Sequence, residues 1–260
     1  MTAAMNESNK PFILMYHGIV DDLNELPPTR EAGASRYDVT QENFAFQIAL
    51  LHNKGFKIVP YSNELTDKEV VVTFDDGEVN NFTKAYEVLK GYECKAYFFI
   101  IPDRVGNQGY MTWEQIKELS EAGMFIGSHG LTHSILTELS ADELIHELSE
   151  SKRIIEEQLG VSIDVISIPR GFCNDAVLRK AYEVGYKYVF ISQKPRILTE
   201  AGIERMDIQS SWTMKRFAQA LEGKMPIKEK FLKGAITITR KILGDKGYNR
   251  LRTSLMRKED

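Results

Sequence analysis

An apolar run of strand type, Val70-Val71-Val72-Thr73-Phe74, ends in two adjacent carboxylates and a glycine, Asp75-Asp76-Gly77, and this junction limits what the chain can become. Taken alone, Asp-Gly after a β-branched run is a common way to leave a strand. A second junction downstream favours chemistry over a plain turn. There Met124-Phe125-Ile126 runs into Gly127-Ser128-His129-Gly130-Leu131-Thr132-His133, with three residues between the two histidines. Two imidazoles and one carboxylate form a facial ligand set that leaves metal positions open for water and substrate. The other carboxylate remains as a base, and the combination points to a hydrolase.

The rest of the chain supplies a frame for these junctions. Strands are expected over 11–16, 56–59, 69–74, 95–101, 124–127, 164–168, 186–191 and 203–208. Helices are expected between them, over 40–53, 79–90, 112–123, 140–160, 175–184 and 213–222. Thr112 with Gln115, and Ser140 with Glu143, read as capping boxes, and Thr40 as a further cap. The segment 23–36 reads as a loop rich in proline, glycine and charge. Strands alternating with helices imply parallel pairing through right-handed crossovers, and seven or eight units suggest a closed or nearly closed barrel. In such barrels the chemistry gathers at the C-terminal strand ends. His17, Asp75-Asp76, His129 and Pro169-Arg170-Gly171 each follow directly on an expected strand, so four polar stretches are expected on one face.

In this order and separation the two junctions resemble those of the NodB-type polysaccharide deacetylases, carbohydrate esterase family 4. Thr73-Phe74-Asp75-Asp76-Gly77 matches the family's T-F-D-D-G, and Ser128-His129-Gly130-Leu131-Thr132-His133 its S-H-x-x-T-H. The resemblance spans 11–223 and implies a distorted (β/α)7–8 barrel, parallel strands inside outer helices. It further implies that Asp76, His129 and His133 ligate one divalent metal ion, zinc or another, and that Asp75 is the general base. The family's R-x-P-x-G falls on Ser167-Ile168-Pro169-Arg170-Gly171, with Ser167 where the family has an arginine that steadies the base. The backbone N–H of Arg170 takes the oxyanion position. Its guanidinium is open to two uses, supplying the missing charge or binding an acidic sugar.

Later motifs depart further. Ser192-Gln193-Lys194-Pro195 stands where the Asp-Trp motif belongs, and Trp212 reads as an apolar anchor. The histidine that serves the family as general acid is missing, since the last histidine is His146, inside a long capped helix. Tyr16-His17 also closes the first strand in a branch of the family that deacetylates amino-sugar polymers, which makes His17 the candidate substitute. The alternative for His17 is a structural histidine bonded to a loop carbonyl. An amide nitrogen must be protonated to leave and an ester's alkoxide is less demanding, so without His17 the balance moves from N- to O-deacetylation.

Charge divides the chain. Residues 224–260 hold 11 Lys/Arg against 4 Asp/Glu, net +7, which leaves −11 for residues 1–223 of a chain that totals −4. With Phe231, Leu232, Ile236, Ile238, Ile242, Leu243, Leu251 and Leu255 interleaved, this stretch reads as a basic amphipathic arm beyond a barrel over 1–223. Such an arm either packs on the barrel or lies on anionic lipid. Nucleic acid is not expected, because no nucleic-acid motif accompanies the basic residues. The first ten residues are polar, and two cysteines, Cys94 and Cys173, are too few for a disulfide framework. The expectation is a cytoplasmic deacetylase, held at the inner membrane face if the arm lies on lipid, acting on an acetylated amino sugar in cell-surface glycan assembly, free or on a lipid or nucleotide carrier. Its rivals are an O-acetyl esterase, a deformylase on a similar sugar, and an inactive metal-containing glycan-binding or scaffold protein.

Overall fold

The computed structural model describes residues 12–21, 26–31, 33–192 and 201–224, together with 234, 235, 238, 239, 242–244, 247, 248 and 251. Among them, nine strands form one parallel sheet: β1 (Phe12–Tyr16), β2 (Lys57–Ile58), β3 (Glu69–Phe74), β4 (Tyr97–Ile100), β5 (Phe125–Ser128), β6 (Val165–Ser167), β7 (Tyr188–Ile191), β8 (Ile203–Glu204) and β9 (Met206–Asp207). The order is β8-β7-β6-β5-β4-β3-β1-β9, with β2 also on β3. β8 and β9 are separated in sequence by Arg205 alone, yet β8 pairs with β7 and β9 with β1. One kinked segment thus joins the two ends of the strand order, and the barrel is nearly closed.

Six helices cover the outside: α1 (Gln41–Asn53), α2 (Glu87–Gly91), α3 (Trp113–Glu121), α4 (Ala141–Leu159), α5 (Asp175–Val184) and α6 (Met214–Leu221). Both expected capping boxes form, on α3 and α4, and Thr40 caps α1 by accepting from the Asn43 N–H. The expected helix over 79–90 instead begins with wide π-type turns at Asn81–Tyr86 before α2. Two buried asparagines accompany the change: Asn80 accepts from the Ile19 N–H at 2.9 Å, and Asn81 donates to the His17 carbonyl at 2.7 Å. Their bonds tie the turn to the end of β1.

Period-two alternation sorts the strand residues. Leu14, Val70, Val72, Phe74, Phe98 and Ile166 join the main core with the helices. Ile13, Val71, Tyr97, Phe99, Val165 and Phe190 form a second apolar cluster. Gly127 belongs to the same packing: a Cβ there would lie 2.6 Å from the Phe99 ring and 2.7 Å from Val165. Continuing the alternation from Val71 leads to Thr73 and then Asp75, so the register that fills this cluster also delivers a carboxylate to the strand end.

Of the basic arm, the described residues beyond Lys224 are assigned to helix, and Ile238, Ile242, Leu243 and Leu251 are exposed. The rest of the arm, and Gln193-Lys194-Pro195, lie outside the described residues. No helix among the described residues is long and apolar enough to cross a membrane.

Candidate metal and hydrolytic site

Asp76, His129 and His133 converge at the C-terminal ends of β3 and β5, each offering one ligand atom, all within 4.8 Å of one another. Their backbones are shaped for it. Asp76 at φ 74° and His133 at φ 69° both lie in the left-handed region, which costs a non-glycine residue on the order of 1–3 kcal/mol and tends to mark functional sites. Gly77 follows Asp76 at φ 71°, so the chain reverses immediately beyond the strand.

Hydrogen bonds orient both rings. His129 Nδ1 is 2.8 Å from the Ser167 carbonyl, and His133 Nδ1 is 2.6 Å from Glu31 Oε1. Each Nδ1–H donates outward, which leaves each Nε2 lone pair facing inward. The two Nε2 atoms stand 3.6 and 3.3 Å from Asp76 Oδ1. That oxygen is buried with no hydrogen-bond partner among the described residues, which suits it to ligate a cation. Burial pushes the His129 pKa down to about 4, with His133 contributing and the carboxylates opposing, so His129 is neutral at pH 7 as metal ligation requires. The donor set fits a divalent ion of zinc type or another ion that accepts N and O ligands.

Asp75 has different company. Arg205 donates to both its oxygens at 2.7 Å, to Thr73 Oγ1 at 3.0 Å and to Ser167 Oγ at 2.6 Å. Burial raises the Asp75 pKa, but Arg205 first, then His129 and His17, outweigh it and hold the carboxyl well below the usual range. The arginine absent at position 167 is therefore supplied by the kinked segment between β8 and β9. Ser167 itself donates to Asp75 Oδ2 at 3.2 Å.

This corrects one use left open for Arg170. Its guanidinium does not replace the missing charge at the base: it pairs with Glu31 at 2.6 Å and donates to the His133 carbonyl at 3.2 Å. Its backbone, at φ 58°, forms the turn after β6. His17 is half-buried at the end of β1, stacked on Tyr37 with ring centroids 4.8 Å apart. It helps lower the pKa of both Asp75 and Asp76, and its Nδ1 is buried without a hydrogen-bond partner among the described residues. His146 is exposed on α4, and Trp212 packs against the core beneath Arg216.

Another acid completes the histidine loop. Glu147, on the buried face of α4, accepts from the Leu131 and Thr132 N–H groups at 2.9 and 3.2 Å and from Thr132 Oγ1 at 2.5 Å. It pins the segment between the two histidines from behind.

The profile of the polysaccharide deacetylase family matches residues 62–189, the stretch that holds both junctions. YxkH of Bacillus subtilis (strain 168), which carries the same family name, is 30% identical over 198 residues, covering 72% of this chain and 67% of its own. The chain belongs to the polysaccharide deacetylase family. A peptidoglycan-N-acetylglucosamine deacetylase of Bacillus cereus is 31% identical over 141 residues, 53% of this chain and 64% of that protein. Among solved structures, the Streptococcus pyogenes deacetylase PplD, determined in complex with acetate, superposes with a TM-score of 0.70 at 26% identity, over 81% of this chain and 97% of that one. The nearly closed parallel barrel is thus the polysaccharide deacetylase fold, and the chain is an enzyme of deacetylase type. Within the family pattern, Arg205, Glu31 and Glu147 are the site residues that the sequence motifs do not reveal.

Proposed function

We propose that the chain is a metal-dependent deacetylase of an N-acetylated amino sugar in a cell-surface glycan. The observation that carries this reading is the division of labour between the two adjacent aspartates: Asp76 faces the histidine nitrogens with an unpartnered oxygen, while Asp75 is held ionised by Arg205. A divalent ion held by Asp76, His129 and His133 supplies, when bound, activation of a water and polarisation of the acetyl carbonyl. Asp75 takes the proton of the attacking water. The Arg170 backbone N–H donates to the developing oxyanion. His17, at the end of β1 with an unpartnered ring nitrogen among the described residues, delivers a proton to the departing nitrogen, and this favours N- over O-deacetylation. The relative named for peptidoglycan N-acetylglucosamine supports an amino-sugar substrate.

Acetate release from free, nucleotide-linked, lipid-linked and polymeric acetylated amino sugars tests this directly. Release is expected to disappear when the metal is removed with a chelator and to return with added Zn2+ or another divalent ion. No release from any substrate by metal-loaded protein would transfer the assignment to a deformylase or to a non-catalytic glycan-binding protein.

We further propose that the barrel over 1–223 works beside anionic lipid at the cytoplasmic face, through the arm over 224–260. Support comes from the arm's net charge of +7 and from the exposed Ile238 and Ile242, four positions apart. Protein ending at Gly223 should lose sedimentation with anionic liposomes at low salt, and equal sedimentation of the two chains would overturn the idea.

A further inference from the structure

We propose that Glu31 is a positioning residue for His133, an inference that rests on the metal-centre reading above. Glu31 lies 102 positions before His133, yet its Oε1 is 2.6 Å from the ring Nδ1. A carboxylate in that place fixes the imidazole as the Nδ1–H tautomer, turns the Nε2 lone pair to the metal position and increases its basicity. His133 Nε2 does face that position, 3.3 Å from Asp76 Oδ1. His129 needs no such partner, because the Ser167 backbone carbonyl at the end of β6 does the same for it. The two histidines are therefore held differently, one by the barrel wall and one by a side chain from the segment preceding α1.

That segment is built to keep Glu31 in place. Arg170 Nη2 and Arg104 Nη2 approach the same Oε1 at 2.6 and 3.5 Å. Arg104 is itself fixed by Tyr110, to whose hydroxyl it donates at 3.1 Å. The neighbouring Arg30 clamps the backbone from the other side, donating to the buried Glu78 at 2.6 Å and to Asp38 Oδ2 at 2.8 Å. Adjacent residues of opposite charge thus tie the segment to the ends of β3, β5 and β6, and Glu31 is left with one oxygen shared between His133 and two guanidinium groups. Arg104 and Arg170 also touch His133 itself, Arg104 Nη2 3.4 Å from its Nδ1 and Arg170 Nε donating to its carbonyl at 3.2 Å, so Glu31 and the two guanidinium groups hold the ring together.

The test is titration of the metal-free full chain with Co2+, read by calorimetry and by the visible spectrum, in wild type, Glu31→Ala and Glu31→Gln. Glu31→Ala is expected to bind Co2+ about 10- to 100-fold more weakly, the size of effect typical of partners that orient metal-binding histidines. Its Co2+ spectrum should change, and its metal-free melting temperature should match the wild type's. Glu31→Gln keeps an acceptor for the Nδ1–H and should recover most of the affinity. Wild-type affinity in Glu31→Ala, or a loss that only parallels a fall in metal-free melting temperature, would overturn the positioning role. A wild-type chain that takes up no Co2+ would instead overturn the metal-centre reading, and this proposal with it.

Discussion

Asp75→Asn protein is expected to release acetate about 10²–10⁴-fold more slowly than wild type while binding the divalent ion with similar affinity. The exchange removes the proposed base but leaves Asp76, His129 and His133 in place. It also keeps a side chain of the same shape beside Ser167 and Arg205, so the site's outline is preserved. Single-turnover acetate release together with metal titration separates the two effects. Activity within tenfold of the wild type would place the base elsewhere; joint loss of activity and metal would make Asp75 a ligand and not a base.

The second large effect is expected from Arg205→Met, and it is first a matter of stability. Arg205 is 5% exposed and Asp75 2%, so removal of the guanidinium strands a carboxylate in the barrel. Breaking one side of a buried pair costs about 3–5 kcal/mol, because the partner keeps its desolvation penalty. In a domain of this size that lowers the melting temperature by roughly 10 °C. Adding Asp75→Asn to Arg205→Met should restore part of the loss, and strict additivity of the two changes would show that they do not interact.

The pH dependence carries a sign. The Asp75 pKa is depressed on folding, so its contribution to stability is complete above its unfolded value near ~4 and is lost as pH falls toward the folded value. His129 acts in the same direction: burial lowers it to about 4, and its contribution fades between the unfolded value near ~6.5 and that point. Metal-free wild type should therefore lose stability on acidification below pH ~6.5. In Arg205→Met the acid limb of kcat/KM should move upward, since the base is no longer held ionised. An unmoved limb would assign that limb to another group.

What could be read from the sequence was chemistry concentrated in short stretches. Asp75 and Asp76 are adjacent and His129 and His133 share one loop, so residue type and spacing sufficed to group them. The barrel was legible for a similar reason, because strand and helix periods are local. Arg205 was not, since its carboxylate partner is 130 positions away. The only local sign was an arginine in the middle of an otherwise strand-like 203–208. Glu147 left a comparable trace, an acid on the helix face that also carries Leu144, Leu148 and Ile155. Glu31 left none. In a loop rich in charge, one more glutamate is indistinguishable from a solvated one until the fold brings His133 to it.

The kink between β8 and β9 makes the ionisation of Asp75 depend on a segment 130 positions further along the chain. β1 precedes β9 by almost the whole barrel, and its second edge is covered only when β9 pairs with it. The guanidinium that sets the base arrives with that same segment. A chain cut before residue 203, or still emerging from the ribosome, holds every residue of both aspartate and histidine motifs and yet lacks a poised Asp75. Such late, long-range pairing is slow to form. Docking of the kinked segment is thereby also the step that brings the guanidinium to Asp75.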